Sequence, residues 1–218
     1  MDYTRLPMPL DGQFPSALAI RDLASGRQLL PLPTPDQTAW HVRGALRHLF
    51  GTVGVPLVVK HDNGSHFLDA DVQALLAAHG ITVLVSPPYT PSYNGACEAG
   101  IGGLKAAALH EATRQDRPEA WTCDDWAFAH DHRNATSYPR VLAGPTPDAA
   151  WAARRPGTGP QRARFRAVVD QRAVECAAER GIVDWRAVPP GEQRALLRVA
   201  IAQACQDTGL LEYGRRRI

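Results

Sequence analysis

Three carboxylates stand where backbone elements are expected to end: Asp2 near the start of the chain, Asp62 after an apolar run, and Glu98 one turn into an expected helix. Asp62 and Glu98 are separated by 35 residues. Carboxylate oxygens are hard donors suited to Mg²⁺ and similar cations, which keep several waters and need only a few such ligands. The same residues have plainer uses. Asp62, followed by Asn63 and Gly64, can shape a turn, and Glu98 can complement a helix dipole. Other chemistry is poorly provided for. The cysteines Cys97, Cys123, Cys176 and Cys205 form no CxxC pair, and His110-Glu111 lacks the second histidine of a zinc-hydrolase helix, so neither zinc nor a disulfide framework is indicated.

Hydropathy supplies the elements that must position these acids. Residues 16–20 (SALAI) and 28–32 (QLLPL) are short apolar runs on either side of Ala24-Ser25-Gly26, which predicts a hairpin. Thr34, Pro35 and Gln37 have the order of a capped helix start, and Val42, Ala45, Leu46, Leu49 and Phe50 recur at helical spacing, so a helix is expected over 35–50. Residues 55–59 (VPLVV) read as a strand buried on both faces that delivers Asp62 to its carboxyl tip. Lys60, just before it, reads as an ordinary strand-end charge, and packing is the expected role of His61 and His66. A helix bearing Val72, Leu75 and Leu76 closes at Gly80, and 81–85 (ITVLV) is a second buried strand. Strand, helix and strand at this spacing predict a right-handed crossover between parallel strands, whose carboxyl ends are where functional groups gather.

After Ser86 the segment PPYTPSYNG is a loop by composition, and Asn94 is expected to cap a helix over 96–115. That helix carries Gly100, Gly102 and Gly103, each costing about 1 kcal/mol relative to Ala. Its first turns are therefore close-packed, close to a ligand, or frayed. Another helix is expected over 121–134.

In this setting (HDNGSHF, 35 residues, then PSYNGACEAGIGGLK) the sequence resembles the catalytic cores of retroviral-type integrases and bacterial insertion-sequence transposases, the DDE class. The resemblance spans roughly 1–155 and is most specific over 56–105; IRDLASGRQLL at 20–30 is similar to the family's second and third strands. It implies a ribonuclease H-like α/β fold, a five-stranded mixed sheet flanked by helices. It also implies that Asp2, Asp62 and Glu98 bind two Mg²⁺ or Mn²⁺ ions, which together activate an attacking oxygen and stabilise a leaving one. Lys105, two turns beyond Glu98 on the same helix face, is implied as a donor-DNA contact, and Tyr93 and Asn94 as loop residues that meet DNA. Only Met1 precedes Asp2, where the family has several apolar strand residues, so the resemblance is to a core truncated at its N-terminus.

Charge divides the chain. Residues 1–150 hold 11 Lys and Arg against 15 Asp and Glu, while 151–218 hold 13 Arg against 7 acids. Such an asymmetry marks either a nucleic-acid contact or an Arg-rich solvated helix face. The expected organisation is a core over 1–153, a linker over 154–160 (RRPGTGP), and a helical basic extension over 161–218 with helices over 161–180 and 191–207 and a solvated end at Arg215, Arg216 and Arg217. No run of eighteen apolar residues and no signal-peptide pattern occurs, so a cytoplasmic protein is expected, nucleoid-associated when bound to DNA. The implied activity is 3′-end cutting and joining of mobile-element DNA. Its partners are element ends and target DNA, further copies of the chain, and an upstream helix-turn-helix subunit. Two other readings stay open: a non-catalytic remnant that keeps the fold and binds DNA or transposase subunits, and a nuclease that only hydrolyses.

Overall fold

The computed structural model describes residues 1–139 and 142–210. Three antiparallel strands come first: β1 (Asp2–Leu10), β2 (Phe14–Arg21) and β3 (Gln28–Thr34), in the order β1-β2-β3. Pro7 and Pro9, which cannot donate to a ladder, lie in β1, an edge strand of this sheet whose register shifts between Arg5 and Leu10. The turn into β2 places Asp11 and Gly12 at φ of 49° and 68°, the left-handed conformation that Asp and Gly tolerate best.

β2 explains why SALAI is apolar throughout. Leu18 and Ile20 face one layer, with Val42, Leu46, Leu49, Phe67, Val72 and Leu76. Ala17 faces the other, with Leu104, Ala108 and Trp126, and Ala19 joins Cys97 and Ile101 there. Large residues point to one side and small ones to the other because a helix approaches closely on the alanine side. The first layer contains α1 (Ala39–Thr52), which starts later than expected. Thr34 is not its cap but the last residue of β3, paired with Ser16 and fully buried, so the sheet takes the residue that could have opened the helix.

The expected parallel pairing across the crossover forms. β4 (Val58–His61), α2 (Ser65–Leu68), α3 (Ala70–Ala78) and β5 (Thr82–Val85) follow in order, and β4 pairs with β5 in parallel. The expected five-stranded sheet is corrected: the strands form a three-stranded antiparallel sheet and a separate parallel pair. The two sheets are bridged by one backbone hydrogen bond, Met1 N to Lys60 O at 2.7 Å. Leu18 and Ile20 of β2 share a core with Val59 of β4, and a cavity of about 1160 Å³ is lined by Met1, Leu46, Val58 and Phe165 among others.

The alanine side of β2 is covered by α4 (Gly95–Arg114) and α5 (Cys123–Thr136). A capping box starts α5, with Thr122 and Asp125 each accepting from the other's backbone. After α6 (Pro147–Ala152), a hairpin of α7 (Gly159–Ala178) and α8 (Pro190–Asp207) completes the described chain. Its core of Phe165, Val169, Trp185, Leu196 and Ala200 packs against Val58 of β4 and Leu84 of β5. The helical extension therefore sits on the parallel pair. The expected basic end at Arg215, Arg216 and Arg217 lies outside the described residues.

The close approach of α4 to β2 makes Ala17 a sensitive position. Ala17→Leu should destabilise the chain by about 1–3 kcal/mol, the usual cost of overpacking, with Ser16 and Leu18 untouched. Urea denaturation reads the loss; an unchanged midpoint would mean that the helix can stand off the sheet.

Candidate active site

Asp2 is the first residue of β1, half-buried and paired in register with Ala19. Its Oδ2 accepts a hydrogen bond from Asn94 Nδ2 at 2.8 Å. Asn94 is the residue before α4, yet its side chain caps nothing. The amide is drawn instead to a carboxylate 92 residues away, and at 8% exposure it has little surface left for other contacts.

Asp62 follows the last residue of β4. Its Oδ1 accepts from Gly64 N at 2.9 Å, so the turn reading of Asp-Asn-Gly is correct in form. Asn63 Nδ2 donates to Ser86 O at 2.8 Å, and Ser86 N donates to His61 O at 2.8 Å, so the carboxyl ends of β4 and β5 are tied together beyond the ladder. His61 is fully buried, its ring against Phe67 and its Nδ1 2.6 Å from Asp62 O. Burial holds its pKa below the ordinary value. His61 is thus a packed, neutral support for the Asp62 backbone. His66 also packs, edge-on to Tyr3 and Phe67.

Glu98 is exposed in the first turn of α4. The three acids share one end of the fold, as their electrostatics record. Asp2 is raised from 3.8 to about 6, first by burial and next by the charge of Asp62, with Glu98 pushing the same way. The three are not drawn into a tight cluster, however. Among the described residues, no three His, Cys, Asp or Glu side chains are gathered closely enough to hold a metal ion. In kind the donors fit a hard cation: oxygen ligands whose mutual repulsion already penalises the ionised state of Asp2.

Lys60 does more than carry a strand-end charge. Its Nζ donates to Tyr93 O and lies 4.3 Å from the centre of the Tyr93 ring. Burial lowers its pKa. It holds the loop that leads into Glu98, a role that Lys-His-Asp in sequence does not disclose, because the loop it reaches lies 33 residues on. Lys105 is half-buried, with a pKa lowered by desolvation, and no hydrogen bond or ion pair to it occurs among the described residues. Two of the four glycines of α4 are there for packing. A Cβ on Gly100 would strike Gln28 and Arg21, and one on Gly103 would lie 2.9 Å from Arg133 Nη2. Gly95 and Gly102 face open space.

The α/β architecture, with Asp2 at the start of β1, Asp62 just after β4 and Glu98 in the first turn of α4, is similar in fold to the catalytic cores of integrases. Residues 1–91 match the family model of the integrase core domain. Similar solved structures include the catalytic core domain of BIV integrase (20% identity, TM-score 0.51, covering 69% of this chain and 93% of that one). The simian T-cell lymphotropic virus intasome is also similar (16% identity, TM-score 0.60, 72% of this chain and 55% of that one). So is the HTLV-2 integrase catalytic core domain in complex with magnesium, in its trimeric form (16% identity, TM-score 0.53, 68% of this chain and 93% of that one). At these identities the likeness is one of fold. No curated protein sequence matches the chain. The first 91 residues, under half of the chain, are thus similar to an integrase core domain, and the solved structures share the fold. The family match ends before Tyr93, Asn94, Glu98 and Lys105, so it does not extend to these four expected site residues.

The raised pKa of Asp2 has a direct consequence for stability. A carboxyl whose pKa is raised on folding contributes fully below its ordinary value and loses that contribution as pH climbs through about 6. Asp2→Asn, which can still accept from Asn94, carries no such loss. Without divalent cation, the Tm of the variant relative to the natural chain should rise by about 2–4 °C between pH 4 and pH 7.5. That is the effect of roughly 1 kcal/mol, after discounting the exposed side of the group. Thermal melts at the two pH values decide it; parallel curves would separate Asp2 from the other acids.

Proposed function

We propose that the protein is a metal-dependent DNA strand transferase of a mobile element, cutting 3′ ends and joining them to target DNA. The observation that carries this reading is the electrostatic coupling of Asp2 to Asp62 and Glu98 at one end of an integrase core. In the cutting step a water oxygen attacks a backbone phosphorus, the P–O3′ bond breaks, and a 3′-OH is released. In the joining step that 3′ oxygen attacks a phosphorus of the target strand and displaces the target's own 3′ oxygen. Two Mg²⁺ or Mn²⁺ ions held by Asp2, Asp62 and Glu98 would activate the attacking oxygen and stabilise the leaving one.

The chain's own residues prepare that site. Asn94 holds one oxygen of Asp2, and Gly64 N holds one oxygen of Asp62. Lys60 holds the Tyr93 carbonyl and ring, and so sets where α4 begins and where Glu98 points. Lys105, unpartnered and partly desolvated, is suited to a phosphate beside the acids. Joining two element ends in one event calls for at least two copies of the chain. An upstream helix-turn-helix subunit would supply end recognition. Among the described residues no helix is long and apolar enough to cross a membrane, in keeping with a protein that works on DNA in the cytoplasm.

The looseness of the three acids favours a second reading, a non-catalytic core that keeps the fold and binds DNA or transposase subunits. One experiment separates the two. A labelled duplex with a free 3′-OH is incubated with supercoiled plasmid in Mg²⁺ or Mn²⁺, using the natural chain, Asp62→Asn and Glu98→Gln. The expected result is metal-dependent joining that falls to background in both variants while their Tm stays within about 3 °C of the parent. The second reading predicts no joining by any chain, and joining undiminished in either variant would remove that acid from the site.

A further inference from the structure

The helices α7 and α8 lie outside the acids and loop that the proposed reaction uses, yet α8 reaches that end of the fold. Its N-terminal half carries Arg194 and Arg198, four residues apart and so on one face, one turn from each other. Arg194 Nη1 lies 3.4 Å from Asn63 Oδ1, and Asn63 is the residue after Asp62. Arg198 Nη1 lies 3.4 Å from Val85 O, and Val85 is the last residue of β5, paired with His61. Both guanidinium groups therefore lie over the carboxyl ends of the two parallel strands, the end that presents Asp62.

Both contacts are long, and each uses one nitrogen of a group that carries five donors in a planar fork. Neither arginine has a carboxylate partner among the described residues. Two other arginines of the hairpin do have acidic partners, Arg172 with Glu175 and Asp207, and Arg186 with Asp170 while stacked on Trp185; Arg194 and Arg198 differ from the remaining ones in lying over the carboxyl ends of the strands. Two half-buried, uncompensated guanidinium groups beside three acids have a clear electrostatic use. They offset, for an approaching polyanion, the repulsion that the acids exert.

We propose that Arg194 and Arg198 form a phosphate clamp through which the helical extension holds the DNA backbone against the acidic site. The extension is then part of the DNA-binding surface of the core and not a separate appendage. This rests on the strand-transferase reading for its ligand, the phosphodiester backbone of DNA. The clamp is non-specific in sequence, because guanidinium contacts to phosphate position a duplex without reading its bases.

The test is the salt dependence of binding to a duplex of arbitrary sequence, by fluorescence anisotropy in Ca²⁺ between 50 and 200 mM salt, with joining assayed in parallel in Mn²⁺. Each phosphate contact contributes about 0.9 to the slope of log K against log salt. Arg194→Ala with Arg198→Ala should flatten that slope by about 1.8. The Arg194→Lys, Arg198→Lys pair should keep it, and Arg186→Ala should leave it unchanged. Should the alanine pair fail to fold, the glutamine pair, which keeps much of each stem, gives the same reading. An unchanged slope in a folded double variant would overturn the clamp even if joining proceeds. A flattened slope in a chain that never joins DNA would sustain the clamp and overturn the strand-transfer reading instead.

Discussion

Like charges at close quarters resist being folded together, and the end of this molecule that presents Asp2, Asp62 and Glu98 is organised around that repulsion. Each acid enters from a different element: the first residue of β1, the residue after β4, and the first turn of α4. Packing elsewhere must hold those three origins in place, because the acids do not attract one another. The two apolar layers on either side of β2 do so at a distance. Close to the site, two polar ties take over, Asn94 to Asp2 and Lys60 to Tyr93. Both run from a strand end to the segment just before α4. Together they fix that helix relative to the sheet, so the position of Glu98 is set by contacts that it does not itself make.

The acids remain coupled without closing into a cluster, and this looseness has a physical origin. Nothing within the described chain compensates all three charges. Asp2 and Asp62 each give one oxygen to an N–H donor, while Glu98 stays exposed to solvent, where its charge is least costly. Burial of Asp2 then appears as a raised pKa rather than as an ion pair.

Much of this was legible in the sequence, and the parts that were not share a cause. The parallel crossover, the delivery of Asp62 to a strand end and the two helices of the extension follow from local hydropathy, and each forms within a few residues of the expected span. The start of α1 was misread because Thr34 satisfies a cap pattern locally, while its pairing with Ser16 is decided by the sheet. The nine-residue length of β1 was hidden by Pro7 and Pro9, which an edge strand tolerates. The amide of Asn94 reads as a helix cap until Asp2 is brought beside it, and Lys60 reads as a surface charge until Tyr93 is. The glycines of α4 had three local explanations, and only the positions of Gln28 and Arg133 select close packing for Gly100 and Gly103. In every case the missing information was a contact across tens of residues.

The charge asymmetry along the chain also takes on meaning only in three dimensions. An acidic first part and an Arg-rich last part are compatible with two independent bodies, one of them merely well solvated. The apolar contacts of the hairpin with Val58 and Leu84 remove that independence, because they fix the basic helices to the same two strands that end at Asp62. A polyanion meeting the acids alone would be repelled over a Debye length of about 8 Å at physiological salt. With Arg194 and Arg198 held beside Asn63 and Val85, at the strand ends that present Asp62, the same polyanion meets a mixed field. The packing of an apolar helical hairpin thus determines the electrostatics of a site to which it contributes no acid.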